Sequence, residues 1–267
     1  MDKKKILYYC RQDTKTSSGV GKKIDAQIRA LASDFDVSLM ELTDENDIFR
    51  TGPDSAPTML QHIQGLKTHF LAHKIVRAKA NRRFNQTVSS IVHEEGIDLL
   101  FVRLNRLDCS LLCMLRRVFR AGCKIVLELP TYPYLPEIRK MRFPINLYWE
   151  TMDWFCRPYL RNYVSAIVTC ASETTIFGIP STQVPNGYDF SQQPLRQIRK
   201  PDGSVHLFSM AIFHEWHGYD RLLSGLVEYR KQEKTKEVLL HFVGNGPALE
   251  SYRKFASEQG LQEYCVF

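Results

Sequence analysis

The sequence predicts an α/β protein of the doubly wound, Rossmann-like class, arranged in two domains. Strand-like apolar segments alternate with helix-like segments, which is typical of a parallel sheet covered by helices. This alternation stops at a polar stretch, residues 191–204, and begins again after it. A chain of 267 residues is also longer than one ordinary domain. We therefore predict a first domain over residues 1–190 and a second over residues 191–267.

In the first domain, the predicted strands are runs of β-branched, aromatic and leucine residues at 5–9, 36–42, 98–104, 124–129 and 166–169. The predicted helices space their apolar residues three or four apart and cover 20–32, 59–93, 108–120 and 146–163. The long 59–93 helix has a predicted break near Asn81 or Asn85. Residues 44–57 are polar and contain glycine and proline, which predicts a loop.

In the second domain, the predicted strands are 205–210, 238–243 and 264–267, and the predicted helices are 219–232 and 247–259. A parallel strand needs helices on both faces, and no helix follows the last strand. From this pattern we expect the second domain to be incomplete.

The composition is that of an ordinary globular protein, with 44% hydrophobic and 24% charged residues. No stretch of 18 apolar residues is present, and the first apolar run is too short for a signal peptide. The seven cysteines are scattered, with no Cys-x-x-Cys pair and no cysteine–histidine cluster at zinc spacing. These features predict a cytoplasmic protein with reduced thiols and no metal site.

The net charge of +7 is concentrated in two places. Residues 67–83 contain six lysines and arginines and no acidic residue, and a basic cluster at 139–142 precedes several aromatic residues. Both segments suit an anionic membrane surface or a phosphorylated ligand, and a solvated basic face is the alternative. We expect peripheral attachment at the inner face of the cell membrane. Nucleic acid is disfavoured, because no helix-turn-helix, ribonucleoprotein or finger signature accompanies the charge.

Glycine-rich turns follow a strand in each domain, at Ser18–Gly21 and Val243–Pro247. Glycines that open a helix let the backbone approach a phosphate, and the helix N-terminus attracts anions. Neither turn matches the G-x-G-x-x-G or Walker A pattern, so an NAD-dependent epimerase or dehydrogenase is disfavoured and a simple turn remains the alternative. The candidate phosphate-binding glycines are Gly19, Gly21, Gly244 and Gly246.

The densest group of reactive side chains is Phe213–Arg221, at the carboxyl end of a predicted strand, where open α/β sheets bind ligands. His217, Gly218 and Arg221 are candidates to hold a diphosphate there. Pairing of Asp220 with Arg221 on a solvated surface is the alternative.

In the first domain, Glu128, Tyr132 and Tyr134 follow a strand on a proline-stiffened segment, and Arg103 ends the preceding strand. Carboxylates and aromatic faces suit sugar hydroxyls, so these four residues are candidates to bind an acceptor. Packing of the tyrosines within the loop is the alternative.

Four segments in this order resemble glycosyltransferases of the GT-B fold, family 4, in the branch that builds bacterial exopolysaccharide and capsule. The resemblance covers nearly the whole chain and implies two facing Rossmann-like domains, with a nucleotide-sugar donor on the second and a lipid-linked or growing polysaccharide acceptor on the first. It also implies a retaining hexosyltransferase that needs no metal or other cofactor. The segments are Glu128–Tyr134, Val184–Asp189, Trp216–Arg221 and Val243–Pro247.

Three departures from the family pattern bear on activity. Ile212 stands where the family has an arginine, and His217 stands where it has a lysine. The family's E-x7-E helix would lie beyond the last strand, so no catalytic residue is assigned. Glu250 and Glu258 have this spacing on a different helix. A truncated relative that binds nucleotide or glycan without turnover is therefore the alternative function.

Overall fold

The computed structural model describes residues 3–12, 14, 19–52, 55–64, 70–187, 203–232 and 236–267. The chain divides into two compact units, residues 1–193 and 194–267. The first unit contains a mixed sheet with a parallel centre and the second a parallel sheet, each with helices, so the predicted α/β class is confirmed. The predicted linker, residues 191–204, lies almost entirely outside the described residues.

The first unit is built on one large sheet. Its described strands are β1 (Lys5–Cys10), β2 (Asp36–Leu42), β3 (Asp47–Thr51), β4 (Thr58–His62), β5 (Leu99–Arg103), β6 (Lys124–Leu129), β7 (Ala166–Thr169), β8 (Thr175–Ile176) and β9 (Ile179–Gln183). They lie in the order β4–β3–β2–β1–β5–β6–β7–β9–β8. The central pairs are parallel, whereas β3, β4 and β8 pair antiparallel with their neighbours.

Helices cover both faces of this sheet. They are α1 (Gly19–Ala32), α2 (Phe70–Glu95), α3 (Cys109–Arg120), α4 (Leu135–Arg139) and α5 (Ile145–Cys156), followed by a 3₁₀ segment (Arg157–Asn162). Strand β1 shows the consequence, because Leu7 and Tyr9 pack into one core while Ile6 and Tyr8 pack into another. Because the central strands are parallel, their carboxyl ends lie at the same edge of the sheet.

Three predictions in the first unit are wrong. Residues 47–51 and 58–62, predicted as loop and helix start, form the antiparallel strands β3 and β4. Ile48 of β3 is fully buried against the sheet core, and this tertiary burial outweighs the polar composition of the segment. Helix α2 also continues without a break through Asn85, whose amide accepts from the Tyr9 hydroxyl at 2.7 Å and donates to the Ser110 hydroxyl at 2.9 Å.

The second unit contains a three-stranded parallel sheet in the order β10–β11–β12. Its elements are β10 (Val205–Ile212), α6 (Tyr219–Lys231), β11 (Val238–Asn245), α7 (Leu249–Glu258) and β12 (Cys265–Val266). Phe213, Leu223 and Phe242 lie at the centre of its core. Helix α7 begins two residues later than predicted, so Pro247 precedes it rather than occupying its first turn.

No helix of the described ranges combines the length and the apolar run that crossing a bilayer requires.

Candidate functional site

A cavity of about 770 Å³ lies at the carboxyl edge of the sheet in the first unit. Its walls include the start of α1, the segments that follow β1, β5 and β6, one face of α2, and parts of α4 and α5. Five positive side chains and one acidic side chain lie among the lining residues. The positive ones are Arg11, Lys23, Arg77, Arg103 and Arg106, and the acidic one is Glu137.

Glu128 is the centre of a buried polar network beside this cavity. Its carboxylate accepts from Arg103 at 2.7 Å and from the Tyr8 hydroxyl at 3.0 Å, and Lys23 lies 3.1 Å away. Burial raises the pKa of Glu128, but the charges and hydrogen bonds of Arg103 and Lys23 outweigh it, so the pKa lies below its ordinary value. Burial and the Glu128 charge raise the pKa of Tyr8. Glu128 is therefore an anion that fixes two cavity cations in place.

A second buried ion pair holds the turn after β1. Arg11, which is 7% exposed, donates from Nη1 to Asp108 at 2.8 Å and from Nη2 to the Arg106 carbonyl at 2.6 Å. Asp108 also accepts from the Leu111 amide at 2.8 Å and so caps the start of α3. One carboxylate therefore positions both a cavity cation and a helix.

The predicted acceptor residues are only partly brought together. Arg103 and Tyr134 line the cavity, and Glu128 touches Arg103 but is 2% exposed and lies in β6 rather than on the loop after it. Glu128 therefore borders the cavity through the two lining cations that it binds, Arg103 and Lys23. Tyr132 packs edge-on against Phe177 and is not among the cavity-lining residues.

The predicted phosphate-binding glycines of the first unit occupy different environments. Gly19, the first residue of α1, lines the cavity, whereas Gly21, the third residue, is buried. Ser18, the other end of the predicted turn, lies outside the described residues.

In the second unit, the His214–Arg221 segment follows β10 as predicted. A 3₁₀ turn, Glu215–His217, leads through Gly218 into α6. The His217 ring lies edge-on to Tyr219, with ring centroids 5.9 Å apart. The Arg221 guanidinium lies over Gly218, since a Cβ there would be 2.9 Å from Nη2. His217, Gly218 and Arg221 thus stand together at the carboxyl end of β10.

Gly244 and Gly246 have a packing reason to be glycine. Their φ angles are +136° and +144°, in the region that L side chains rarely adopt. A Cβ at position 246 would lie 2.3 Å from the backbone of Phe213, and one at 244 would lie 2.0 Å from the Ala211 carbonyl. These glycines let the ends of β10 and β11 approach each other, which brings the turn after β11 next to His214.

Sequence reasoning missed Arg11, Lys23 and Arg106. Each had a usable signal: Arg11 follows the first strand, Arg106 lies three residues after Arg103, and Lys23 lies near the start of the first helix. Arg77 was assigned to a membrane-facing run, but it lines the cavity and donates to the Thr43 carbonyl. Within the described residues, no three His, Cys, Asp or Glu side chains gather as metal ligands.

Comparisons with known proteins bear on the fold. The sequence matches no family model and no curated protein. The structure is similar to the lipopolysaccharide outer core galactosyltransferase WaaB in its apo form, with a TM-score of 0.53 and 12% identity over 98% of this chain and 67% of that chain. It is also similar to a glycosyltransferase from Rickettsia africae ESF-5, with a TM-score of 0.57 and 9% identity over 99% of this chain and 68% of that chain. At these identities the similarity establishes the fold, and it confirms the predicted GT-B-type α/β class.

Proposed function

We propose that this protein is a retaining glycosyltransferase that moves a sugar from a nucleotide-sugar donor to a lipid-linked or growing polysaccharide acceptor. The cavity at the carboxyl edge of the first unit's sheet is the observation that supports this most directly. It is large enough for a glycan unit, and it combines fixed cations with the Tyr134 and Trp149 rings. We assign the acceptor to this cavity, and no cofactor or metal enters the proposal.

We assign the donor to the second unit, where His217 and Arg221 stand at the carboxyl end of β10. The diphosphate of a nucleotide sugar becomes a leaving group that gains negative charge during transfer. The Arg221 guanidinium provides fixed positive charge for it, and the His217 imidazole beside the helix start offers a further polar contact. Arg221 takes the part that the family gives to the arginine replaced here by Ile212. Gly244 and Gly246 let the second turn come close enough to contribute backbone amides.

The donor assignment is tested by Arg221→Ala. Loss of one charge-assisted phosphate contact should weaken nucleotide-sugar binding about ten- to hundredfold in calorimetry. Lys254→Ala, which removes a positive charge from the exposed face of α7, is the matched control and should leave affinity unchanged. Equal affinity of the Arg221→Ala variant and the parent protein would remove Arg221 from the donor site.

Glycosyl transfer as such is tested by incubating the protein with UDP-, GDP- and ADP-sugars and membrane-extracted glycolipid, and measuring release of the nucleoside diphosphate. Acceptor-dependent release supports an enzyme. Binding of a nucleotide sugar without release supports the alternative, a non-catalytic relative that holds nucleotide or glycan. Absence of binding to every nucleotide sugar rejects both functions.

The membrane part of the proposal rests on α5. Large apolar side chains project outward from this helix and its preceding turn, with Phe143 78% and Trp154 75% exposed. The opposite face of α5 carries Trp149, which lines the acceptor cavity. We name the outward-facing group the α5 patch: Phe143, Leu147, Tyr148, Trp154 and Phe155.

Exposed basic residues border the α5 patch at Lys140 and Arg142. Aromatic side chains beside positive charge suit the headgroup level of an anionic bilayer. The basic run predicted from the sequence, residues 67–83, is less suited, because Arg77 of this run lines the cavity. We therefore propose that the α5 patch, rather than α2, contacts the membrane.

Vesicle co-sedimentation distinguishes the two surfaces. Combined Lys140→Glu and Arg142→Glu substitutions should lower binding to anionic vesicles more than tenfold, because each charge near the surface is worth about 1 kcal/mol. Trp154→Ser should lower vesicle binding further. The protein should stay folded, because the Trp154 side chain is exposed. Lys74→Glu with Arg83→Glu on α2 is the matched control. If only the α2 substitutions release the protein from the vesicles, the membrane-binding surface lies on α2.

A further inference from the structure

One corner of the cavity gathers three arginines from three different elements. Arg11 follows β1, Arg106 lies in the segment between β5 and α3, and Arg77 lies on α2. Arg11 is tied to the Arg106 backbone by the 2.6 Å hydrogen bond from its Nη2. We call these three residues the arginine corner.

Positive charge is in excess around this corner. Across the described residues, the five cavity cations have three carboxylates as ion-pair partners, namely Asp44, Asp108 and Glu128. Asp44 is a weak partner for Arg77, because it lies 3.8 Å away and its side chain is 85% exposed. No ion pair of Arg106 is found in the described ranges, and its guanidinium rests 5.2 Å from the centroid of the Trp149 ring.

The electrostatics agree with this geometry. Burial lowers the pKa of Arg77, Asp44 opposes the shift, and the Arg11 charge adds to it. Burial and the Arg11 charge also lower the pKa of Arg106. The charge of Arg11 is thus felt at both other members of the corner, and an anion placed among them would relieve this repulsion.

Two polar atoms near the corner lack partners in the described part of the chain. They are Nε of Arg103 and Oδ1 of Asn81, and both residues line the cavity. Arg103 is 5% exposed, so its Nε–H is a buried donor that needs an acceptor. Asn81 Oδ1 is a buried acceptor that needs a donor such as a hydroxyl. Hydroxyl groups of a ligand would satisfy both atoms, because a hydroxyl can both accept and donate a hydrogen bond.

We propose that the arginine corner binds a phosphate group of the acceptor, so that the acceptor is a sugar or polyol joined to a phosphate or diphosphate. This deepens the proposed function and rests on it, since that function assigns the acceptor to this cavity. Three guanidiniums approaching from different elements suit a tetrahedral dianion better than a planar carboxylate, which offers only two oxygens. Arg103 Nε and Asn81 Oδ1 then bind the attached sugar or polyol and fix its orientation.

The site is tested with methyl phosphate and inorganic pyrophosphate as probes, by calorimetry of the whole chain at low ionic strength. Arg106→Gln and Arg77→Gln should each weaken binding about ten- to hundredfold. Arg116→Gln, which removes a positive charge from the exposed face of α3, should have no effect. Circular dichroism checks that every variant is folded, and Arg106→Lys should restore part of the affinity. Lack of binding by the parent protein, or equal loss in Arg116→Gln, overturns the site.

The phosphate could instead be that of the donor, and competition separates the two sources. UDP, GDP and ADP should bind without displacing methyl phosphate if the corner belongs to the acceptor. Competitive displacement by any of them overturns the acceptor assignment and gives the corner to the donor diphosphate. If no nucleotide sugar binds while methyl phosphate binds through Arg77 and Arg106, the phosphate site stands and the glycosyltransferase function fails.

Discussion

Glu128→Gln should lower the free energy of unfolding of the first unit by about 3–5 kcal/mol, the range for breaking one side of a buried ion pair. The substitution keeps the size of the side chain and most of its hydrogen-bonding atoms. It removes the negative charge that Arg103, itself 5% exposed, contacts at 2.7 Å. The destabilisation therefore comes from leaving a buried guanidinium without its counter-charge. Chemical denaturation followed by near-ultraviolet circular dichroism measures it.

Glu150→Gln is the matched control. Glu150 pairs with Arg139 at 2.7 Å, but the Arg139 side chain is 63% exposed, so the loss should stay below about 1 kcal/mol. The double variant Arg103→Gln with Glu128→Gln removes both charges and should recover part of the stability. If the two single losses simply add in the double variant, the ion pair is not the cause.

The same prediction has a pH signature. The pKa of Glu128 is lowered in the folded state, so its contribution is present above the unfolded carboxyl value of about 4.5 and is lost as pH falls through the folded pKa. The stability difference between the parent protein and Glu128→Gln should therefore narrow as pH falls from 6 to 3. A difference that stays constant over this range contradicts the ionised state of Glu128.

Strands that are defined by their own sequence were predicted correctly, whereas a strand that is defined by its pairing partner was missed. Strands β2, β6 and β7 have the predicted limits, because their apolar runs are bounded by polar or turn residues. Strand β3 was missed because it is defined by its partner: Ile48 is buried only when it pairs with Leu42 of β2. Local composition could not reveal that pairing.

The site shows the same distinction. Arg103 and Arg221 could be found because Arg103 ends a recognisable strand and Arg221 lies in the first turn of the helix that follows another. The partners that fix the cavity come from distant parts of the chain: Arg11 meets Asp108 across 97 residues, and Tyr8 meets Glu128 across 120. Arg77 was misassigned for a related reason. A basic residue within a basic run looks solvated until the fold shows which side of the helix faces the sheet.

The other large effect on stability is expected in the second unit, at the glycine-containing turn after β11. Phe213 is fully buried, and its backbone is held from both sides by the turn after β11. Its amide donates to the Asn245 carbonyl at 2.6 Å, and its carbonyl accepts from the Ala248 amide at 3.1 Å. Gly246 lies between these two hydrogen bonds, so the turn has no space to move away from Phe213 without breaking them.

Gly246→Ala should therefore destabilise the second unit by about 3 kcal/mol or more, from backbone strain at φ +144° and from a methyl group 2.3 Å from the Phe213 backbone. Hydrogen exchange of the β10 and β11 amides measures this loss of stability. Gly260→Ala separates the two causes, because its φ is +66° but no atom lies within 4 Å, and it should cost about 1–2 kcal/mol. Gly225→Ala, in the open middle of α6, should stabilise by about 0.5–1 kcal/mol. If Gly246→Ala lowers the free energy of unfolding no more than Gly260→Ala does, the close approach of Gly246 to the Phe213 backbone does not stabilise this unit. In that event the remaining reason for a glycine at position 246 is the approach of its backbone to a bound phosphate.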